Sequence, residues 1–333
     1  MAIVKAQNAG LKINPICSFV IWKALLIGPA TSPRMANTIE VVTSETQLAT
    51  KSLCLFMAAS FYMLRAMNRR LLFAGLCFAM PLTSAPAYAQ LAPPGEAGVV
   101  MGHLHLAVRD LDAQRAFWSA LGGTPVQNGN LQLIQFPGTF VMLRKAEPTG
   151  GTVGSVVNHV GFLVKSLKEW QDKAQASGWK TEAGTNPKQF YILSPDDVRI
   201  EMTEDASIAT PIRMHHIHFN TPAALEMQAW YAKTFGAVPG KRGPFDAADL
   251  PGVNLTFTKV DSALAGTKGR SLDHIGFEVK NLEEFCKKLE AGGMKLDRPF
   301  TRLPNSATAI AFLTDPWGTY IELTENLGPP AAR

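Results

Sequence analysis

The sequence predicts an α+β protein built from four βαβββ modules that pair into two cup-shaped domains. Three observations carry that prediction. All seven histidines lie in four short stretches of one design: Met101-Gly-His103-Leu-His105, Val157-Asn-His159-Val-Gly161, Met214-His215-His216-Ile-His218 and Leu272-Asp-His274-Ile-Gly276. Each stretch leads into a helical pattern closed by a glycine, and then into short β-patterned runs. Longer segments echo one another, as Asn158-His-Val-Gly-Phe-Leu-Val-Lys-Ser-Leu-Lys-Glu-Trp170 does Asp273-His-Ile-Gly-Phe-Glu-Val-Lys-Asn-Leu-Glu-Glu-Phe285. A repeat constrains architecture before any single residue does.

Each module opens with a strand. Side chains alternate along a strand, so Ile275 and Phe277 share one face while His274 and Gly276 share the other. Helices are predicted over Leu111–Leu121, Leu167–Ser177, Pro222–Phe235 and Leu282–Ala291, where they cover the apolar face. Their starts carry capping chemistry at Ser166, Asn281 and Thr221, and glycines 122, 178, 236 and 292 end them. The remaining runs include Leu131–Phe136 and Phe140–Arg144 around Pro137-Gly138, and Thr308–Leu313 and Thr319–Leu323 around the turn Asp315-Pro-Trp-Gly318. The modules span about 101–146, 157–205, 212–260 and 271–326. Sequential pairing gives one domain over 90–206 and a second over 207–333, with Ala206–Pro211 as the linker.

Residues 1–89 read differently. Met67-Asn-Arg69-Arg70, the apolar run Leu71–Leu82 and Ala87-Tyr-Ala89 have the three-part layout of a signal peptide at 67–89, so export to the periplasm or medium is expected. The apolar run is too short to span a bilayer, and no membrane association is expected after cleavage. Residues 1–66 fit neither a domain nor a signal, and Met67 or Met63 is the expected start. The leader holds eight Lys and Arg against two Glu, leaving 24 basic against 25 acidic residues beyond it, so no nucleic-acid surface is expected. Cys286 is the one cysteine after the leader; it precludes an intrachain disulfide and reads as a small buried residue.

The glutamates complete a pattern. Arg199-Ile-Glu201-Met-Thr-Glu and Tyr320-Ile-Glu322-Leu-Thr-Glu each place a carboxylate on the face opposite their apolar neighbours. A carboxylate on a covered face is costly unless it is paired or binds a cation. Counted by sequential pairs, the first domain offers His103, His159 and Glu201, and the second offers His216, His274 and Glu322 as the main site. Two imidazoles and a carboxylate suit Fe(II), Mn or Zn. Arg199 shares a face with Glu201 and could neutralise it without metal. His105 and His218 lie two residues after a proposed ligand, on its face. His218 and Tyr320 are the candidates for acid–base work or substrate contact, and His215 points away by alternation. The loop Lys241–Asp249 is expected to shape the pocket.

Over about residues 100–326 the chain resembles the vicinal-oxygen-chelate superfamily, through Asp273-His274-Ile-Gly-Phe and Asp315-Pro-Trp-Gly-Thr-Tyr-Ile-Glu322. The resemblance implies paired βαβββ modules closed into cups, with a divalent metal held by first-strand histidines and last-strand glutamates. By position those are again His216, His274 and Glu322, with His103, His159 and Glu201. It implies a metal-dependent enzyme acting on a small molecule with neighbouring oxygens, by dioxygenase-like chemistry or glyoxalase- or fosfomycin-resistance-like lyase or transferase chemistry. A non-catalytic binding or sequestering protein is the alternative. The strands at Thr139–Leu143 and Val253–Phe257 carry no glutamate, so the pattern is a three-ligand one. Four modules in one chain allow a monomer, and a dimer is also open.

Overall fold

A computed structural model describes residues 91–329. The signal peptide and start-site expectations fall on residues outside that range. The first module comprises β1 (Val99–Val108), α1 (Leu111–Ala120), β2 (Thr124–Asn128), β3 (Leu131–Phe136) and β4 (Thr139–Lys145). The second comprises β5 (Val157–Val164), α2 (Leu167–Ala176), β6 (Lys180–Ala183), β7 (Gln189–Leu193) and β8 (Arg199–Glu204). The third comprises β9 (Ile212–Thr221), α3 (Ala224–Phe235), β10 (Val238–Arg242), β11 (Phe245–Leu250) and β12 (Val253–Lys259). The fourth comprises β13 (Leu272–Val279), α4 (Leu282–Ala291), β14 (Arg298–Arg302), β15 (Ala309–Thr314) and β16 (Tyr320–Glu325).

The four βαβββ modules are as expected, but sequential pairing is not what the sheets show. One eight-stranded sheet runs β14-β15-β16-β13-β1-β4-β3-β2 and joins modules one and four. The other runs β10-β11-β12-β9-β5-β8-β7-β6 and joins modules two and three. The segment Ala206–Pro211, expected to separate two domains, instead lies within the connection 205–211 between strands of one sheet. The longer segments 146–156 and 260–271 cross between the sheets. They lie side by side, with Val156 N–H donating to the Ala265 carbonyl at 2.9 Å and Ser271 N–H to that of Gly150 at 2.9 Å. Modules one and two, and likewise three and four, meet through their apolar faces rather than their sheet edges. Phe136 packs on Phe162 at 5.1 Å between ring centres, and Phe235 on Phe277 at 4.9 Å. These rings belong to one continuous buried cluster.

Polar straps reinforce the same contacts. Fully buried Trp118 donates to Gln114 Oε1 at 3.0 Å, and Gln114 Nε2 donates to Asp196 Oδ2 at 2.9 Å. Tyr231, equally buried, donates to Asp315 Oδ2 at 3.0 Å. Asp315 Oδ1 also accepts from the backbone N–H of Trp317 and Thr319, which builds the turn before β16. At the helix ends, α3 begins two residues later than expected, after Ala223, with Thr221 Oγ1 accepting from the Ala223 N–H at 3.2 Å. Asn281 makes no side-chain cap bond. After α4 the left-handed position falls on Gly293 rather than Gly292.

Strand pairing sets the site. β1 runs antiparallel to β13, with His103 opposite Gly276 and His105 opposite His274. β9 pairs with β5 in the same way, His216 opposite Gly161 and His218 opposite His159. A Cβ at Gly276 would collide with the ring of His103, and one at Gly161 with the ring of His216. Each glycine therefore gives the opposing imidazole its place. Gly276→Ala should destabilise the fold by about 1–3 kcal/mol through overpacking. Gly240→Ala, where a Cβ meets open space, should stay within about 0.5 kcal/mol. Urea unfolding of both variants measures the difference.

Candidate metal centre

The sheet pairing regroups the histidines. His103, His105, His274 and Glu322 each offer an atom within 4.8 Å of the others. His103 therefore joins His274 and Glu322, the place expected for His216, because β1 and not β9 lies against β13. Conversely, His216 joins His159 and Glu201 in the second cup, with His216 Nε2 3.2 Å from His159 Nε2. His218 lies in that second cup, 4.6 Å from His159 between ring centres and 2.7 Å from Thr258 Oγ1. It is not beside His274, as had been expected. Tyr320 does flank the first cup, stacked on Phe312 and 5.5 Å from the His274 ring.

In the first cup, Nε2 of His103 and Nε2 of His274 each lie 2.9 Å from the same Oε2 of Glu322. His274 Nδ1–H donates to Asp273 Oδ1 at 2.6 Å. Asp273 is held in turn by the Gly269 N–H at 2.8 Å and by Arg144 at 3.4 Å. Because a carboxylate only accepts, a neutral His274 ring would turn a lone pair toward another acceptor, the oxygen of Glu322, unless a proton or a metal ion stands between them. A cation between them resolves that opposition. Two bonds of about 2.1 Å at a right angle separate their donor atoms by about 3 Å, the spacing seen here. Asp273 supplies the carboxylate behind a ligating imidazole that orients such rings. The donor set thus fits a divalent ion.

Electrostatics agree. Burial works to raise the Glu322 carboxyl, yet His103, His105 and His274 outweigh it and hold the group well below the usual carboxylate range. Burial also works to lower His274, but Asp273 and Glu322 keep it above the ordinary imidazole value. His105 is pushed down to about 4 by burial, so it is neutral at pH 7. Its Nδ1 lies 4.0 Å from Glu322 Oε2 and has no hydrogen-bond partner among the described residues. His105 also lines a cavity of about 700 Å³, with Arg115, Gln132, Leu133, Met142 and Arg144 on its walls.

The second cup is built on the same frame but furnished differently. Glu201 Oε1 accepts from Gln189, Thr203 and Arg242 at 2.9, 2.8 and 3.2 Å, and Oε2 accepts from Tyr191 at 3.1 Å. His159 Nε2 lies 3.1 Å from Oε2. The cation on Glu201 is Arg242 and not Arg199, which turns to Glu182 at 2.7 Å and to Asn158 at 3.1 Å. His215 does not point away. The register slips between Gly161 and Phe162, a β-bulge that leaves His215 unpaired and brings its Nδ1 to 3.0 Å from His216 Nδ1. Burial lowers His159 and His216, takes His215 to about 4 and His218 to about 3, so all four rings are neutral at pH 7. Lys241 and Arg242, from the expected pocket-shaping segment, line a separate cavity of about 710 Å³ with Arg213 and His215.

The sequence singled out neither Asp273 as the carboxylate behind His274 nor Arg242, within the pocket-shaping loop, as the partner of Glu201. Asp273 was visible in the Asp-His-Ile-Gly motif; Arg242, some forty residues from its partner, left no local signal. Among the described residues no helix is long and apolar enough to cross a membrane. Cys286 is buried in α4 as expected.

Residues 213–323 match the family model of the Glyoxalase/Bleomycin resistance protein/Dioxygenase superfamily. The structure is similar to glyoxalase I from Zea mays, at 16% identity and a TM-score of 0.56 over 68% of this chain and 92% of that one. A variant of the maize protein gives 15%, 0.57, 69% and 94% in the same measures. A putative dioxygenase from Bacillus subtilis is similar at 13% identity and a TM-score of 0.55, over 72% of this chain and 87% of that one. At such identities the likeness shows the fold alone. None of the curated proteins compared matches the chain.

The role of Asp273 is checked directly. Asp273→Asn should weaken binding of Co(II) or Zn(II) by about 10–100-fold, measured by competition with a chromophoric chelator.

Proposed function

We propose, for a chain that belongs to the Glyoxalase/Bleomycin resistance protein/Dioxygenase superfamily, that the cup of modules one and four is the active site of a divalent-metal-dependent enzyme. One observation carries the reading: His103 and His274 converge on a single oxygen of Glu322 beside a cavity of about 700 Å³. Two imidazoles and a carboxylate with open positions suit Fe(II), Mn or Zn. An ion held there would supply Lewis-acid stabilisation to a small substrate with two neighbouring oxygens.

The protein's own groups define the rest. His105 is neutral and lines the cavity, so its imidazole is placed to exchange a proton with a substrate group there. Arg144 is half exposed on the cavity wall and meets Asp273 only at 3.4 Å, leaving guanidinium donors for an anionic substituent. Tyr320 and Phe312 wall the His274 side. These features support dioxygenase-like, lyase or transferase chemistry. Export by the segment 67–89 is part of the proposal; N-terminal sequencing of protein secreted by its host should begin at Gln90.

The test is turnover of catechols, hemithioacetals of 2-oxoaldehydes, and epoxides with a thiol by metal-loaded protein. At least one class should be converted. His274→Ala should abolish both metal content and turnover. His105→Ala should keep the metal and lower kcat by about 10²–10⁴-fold. Tight binding of such compounds with no conversion of any class would identify a sequestering protein instead.

A further inference from the structure

We propose that the guanidinium of Arg242 takes the place of a metal ion in the second cup, so that the chain holds one metal ion and not two. This rests on reading the first cup as a metal centre. The backbone frames of the two cups match strand for strand: Glu322 lies beside Gly276 and Glu201 beside Gly161, each glycine facing a first-strand histidine. What differs is what approaches each carboxylate.

Three matching positions have opposite chemistry. The residue paired with Glu201 is Tyr191, whose hydroxyl donates to it, whereas the residue paired with Glu322 is Phe312, which has nothing to donate. Gln189, paired with Thr203, donates to Glu201, and its counterpart Ile310, paired with Thr324, cannot. Arg242 ends β10 as Asn128 ends β2. Asn128 spends its amide on the carbonyls of Asn326, Leu327 and Gly328, away from Glu322. The threonines diverge as well, since Thr203 donates to Glu201 while Thr324 donates to Glu278.

The outcome is saturation in one cup and vacancy of donors in the other. A carboxylate offers about four lone-pair sites. Those of Glu201 meet Gln189, Thr203, Arg242, Tyr191 and His159. Among the described residues only imidazoles approach Glu322 with a polar atom. A divalent ion entering the second cup would have to strip those donors away and sit beside a guanidinium of like sign. The three imidazoles of His159, His216 and His218 remain close enough to share an ion, yet the carboxylate beside them, Glu201, is already occupied by the donors above.

The experiment uses the whole protein, stripped of metal and titrated with Co(II), with bound cobalt counted after gel filtration and followed by its visible absorption. The wild type should hold one ion per chain, lost in His274→Ala and retained in His216→Ala. Giving the second cup the first cup's residues, through Arg242→Asn with Tyr191→Phe, should raise the count to two, and adding His216→Ala should return it to one. Arg242→Lys, which keeps the charge, should stay at one. A wild type with two ions, one of them lost in His216→Ala, would overturn the inference, as would a folded double variant that still holds one. Arg242→Met alone gives the same readout should the double variant not fold. A wild type holding no ion, with a double variant gaining one through His216, would retain this inference and remove the reading of the first cup.

Discussion

The fit of an imidazole over a glycine on the neighbouring strand is the constraint on which the rest depends. His103 occupies the space a side chain at Gly276 would fill, and His216 does the same over Gly161. With the rings seated this way, imidazoles from two paired strands converge on the carboxylate of a third, Glu322. Any larger residue at the glycine would lift the ring, and the shared oxygen of Glu322 would lose one of its two 2.9 Å contacts. The same fit fixes register, because a one-residue slip would move every histidine to the apolar face.

That constraint also explains what the sequence could and could not disclose. The strand His103-Leu-His105 needs a partner of the form histidine, any residue, glycine. Both His159-Val-Gly161 and His274-Ile-Gly276 answer that description. Local pattern is therefore degenerate between pairing module one with two and with four. The modules, their helices and the ligand types were legible because each depends on short-range periodicity and capping. The grouping was not, because it is decided by connection length and by apolar packing between sequence neighbours: the short segment 205–211 stays within a sheet, and the longer ones cross. Exchange of His103 and His216 between the expected triads follows from that one ambiguity. The placement of His215 failed for a different reason, since a β-bulge suspends the alternation on which facing was argued.

The two cups illustrate how a common backbone leaves function to side chains. Their frames agree in glycine, histidine and glutamate, and diverge at positions that carry no motif: Tyr191 against Phe312, Gln189 against Ile310, Arg242 against Asn128. A buried ion pair such as Glu201 with Arg242 is weak evidence for added stability, because desolvation offsets much of the attraction. Its significance lies in occupancy: it settles the charge of the pocket from within the chain.

The interleaved topology has a consequence for how the molecule is made. Strand β1 emerges early in synthesis, yet its antiparallel neighbour β13 begins only at Leu272. Until then the nascent first module presents an open hydrogen-bonding edge, while modules two and three can already close on each other. Sheets that wait for distant partners assemble slowly and are exposed to aggregation in the interval. A polypeptide stopped after Glu204 would possess half of each bowl and a complete version of neither, so both are finished only when the fourth module is made.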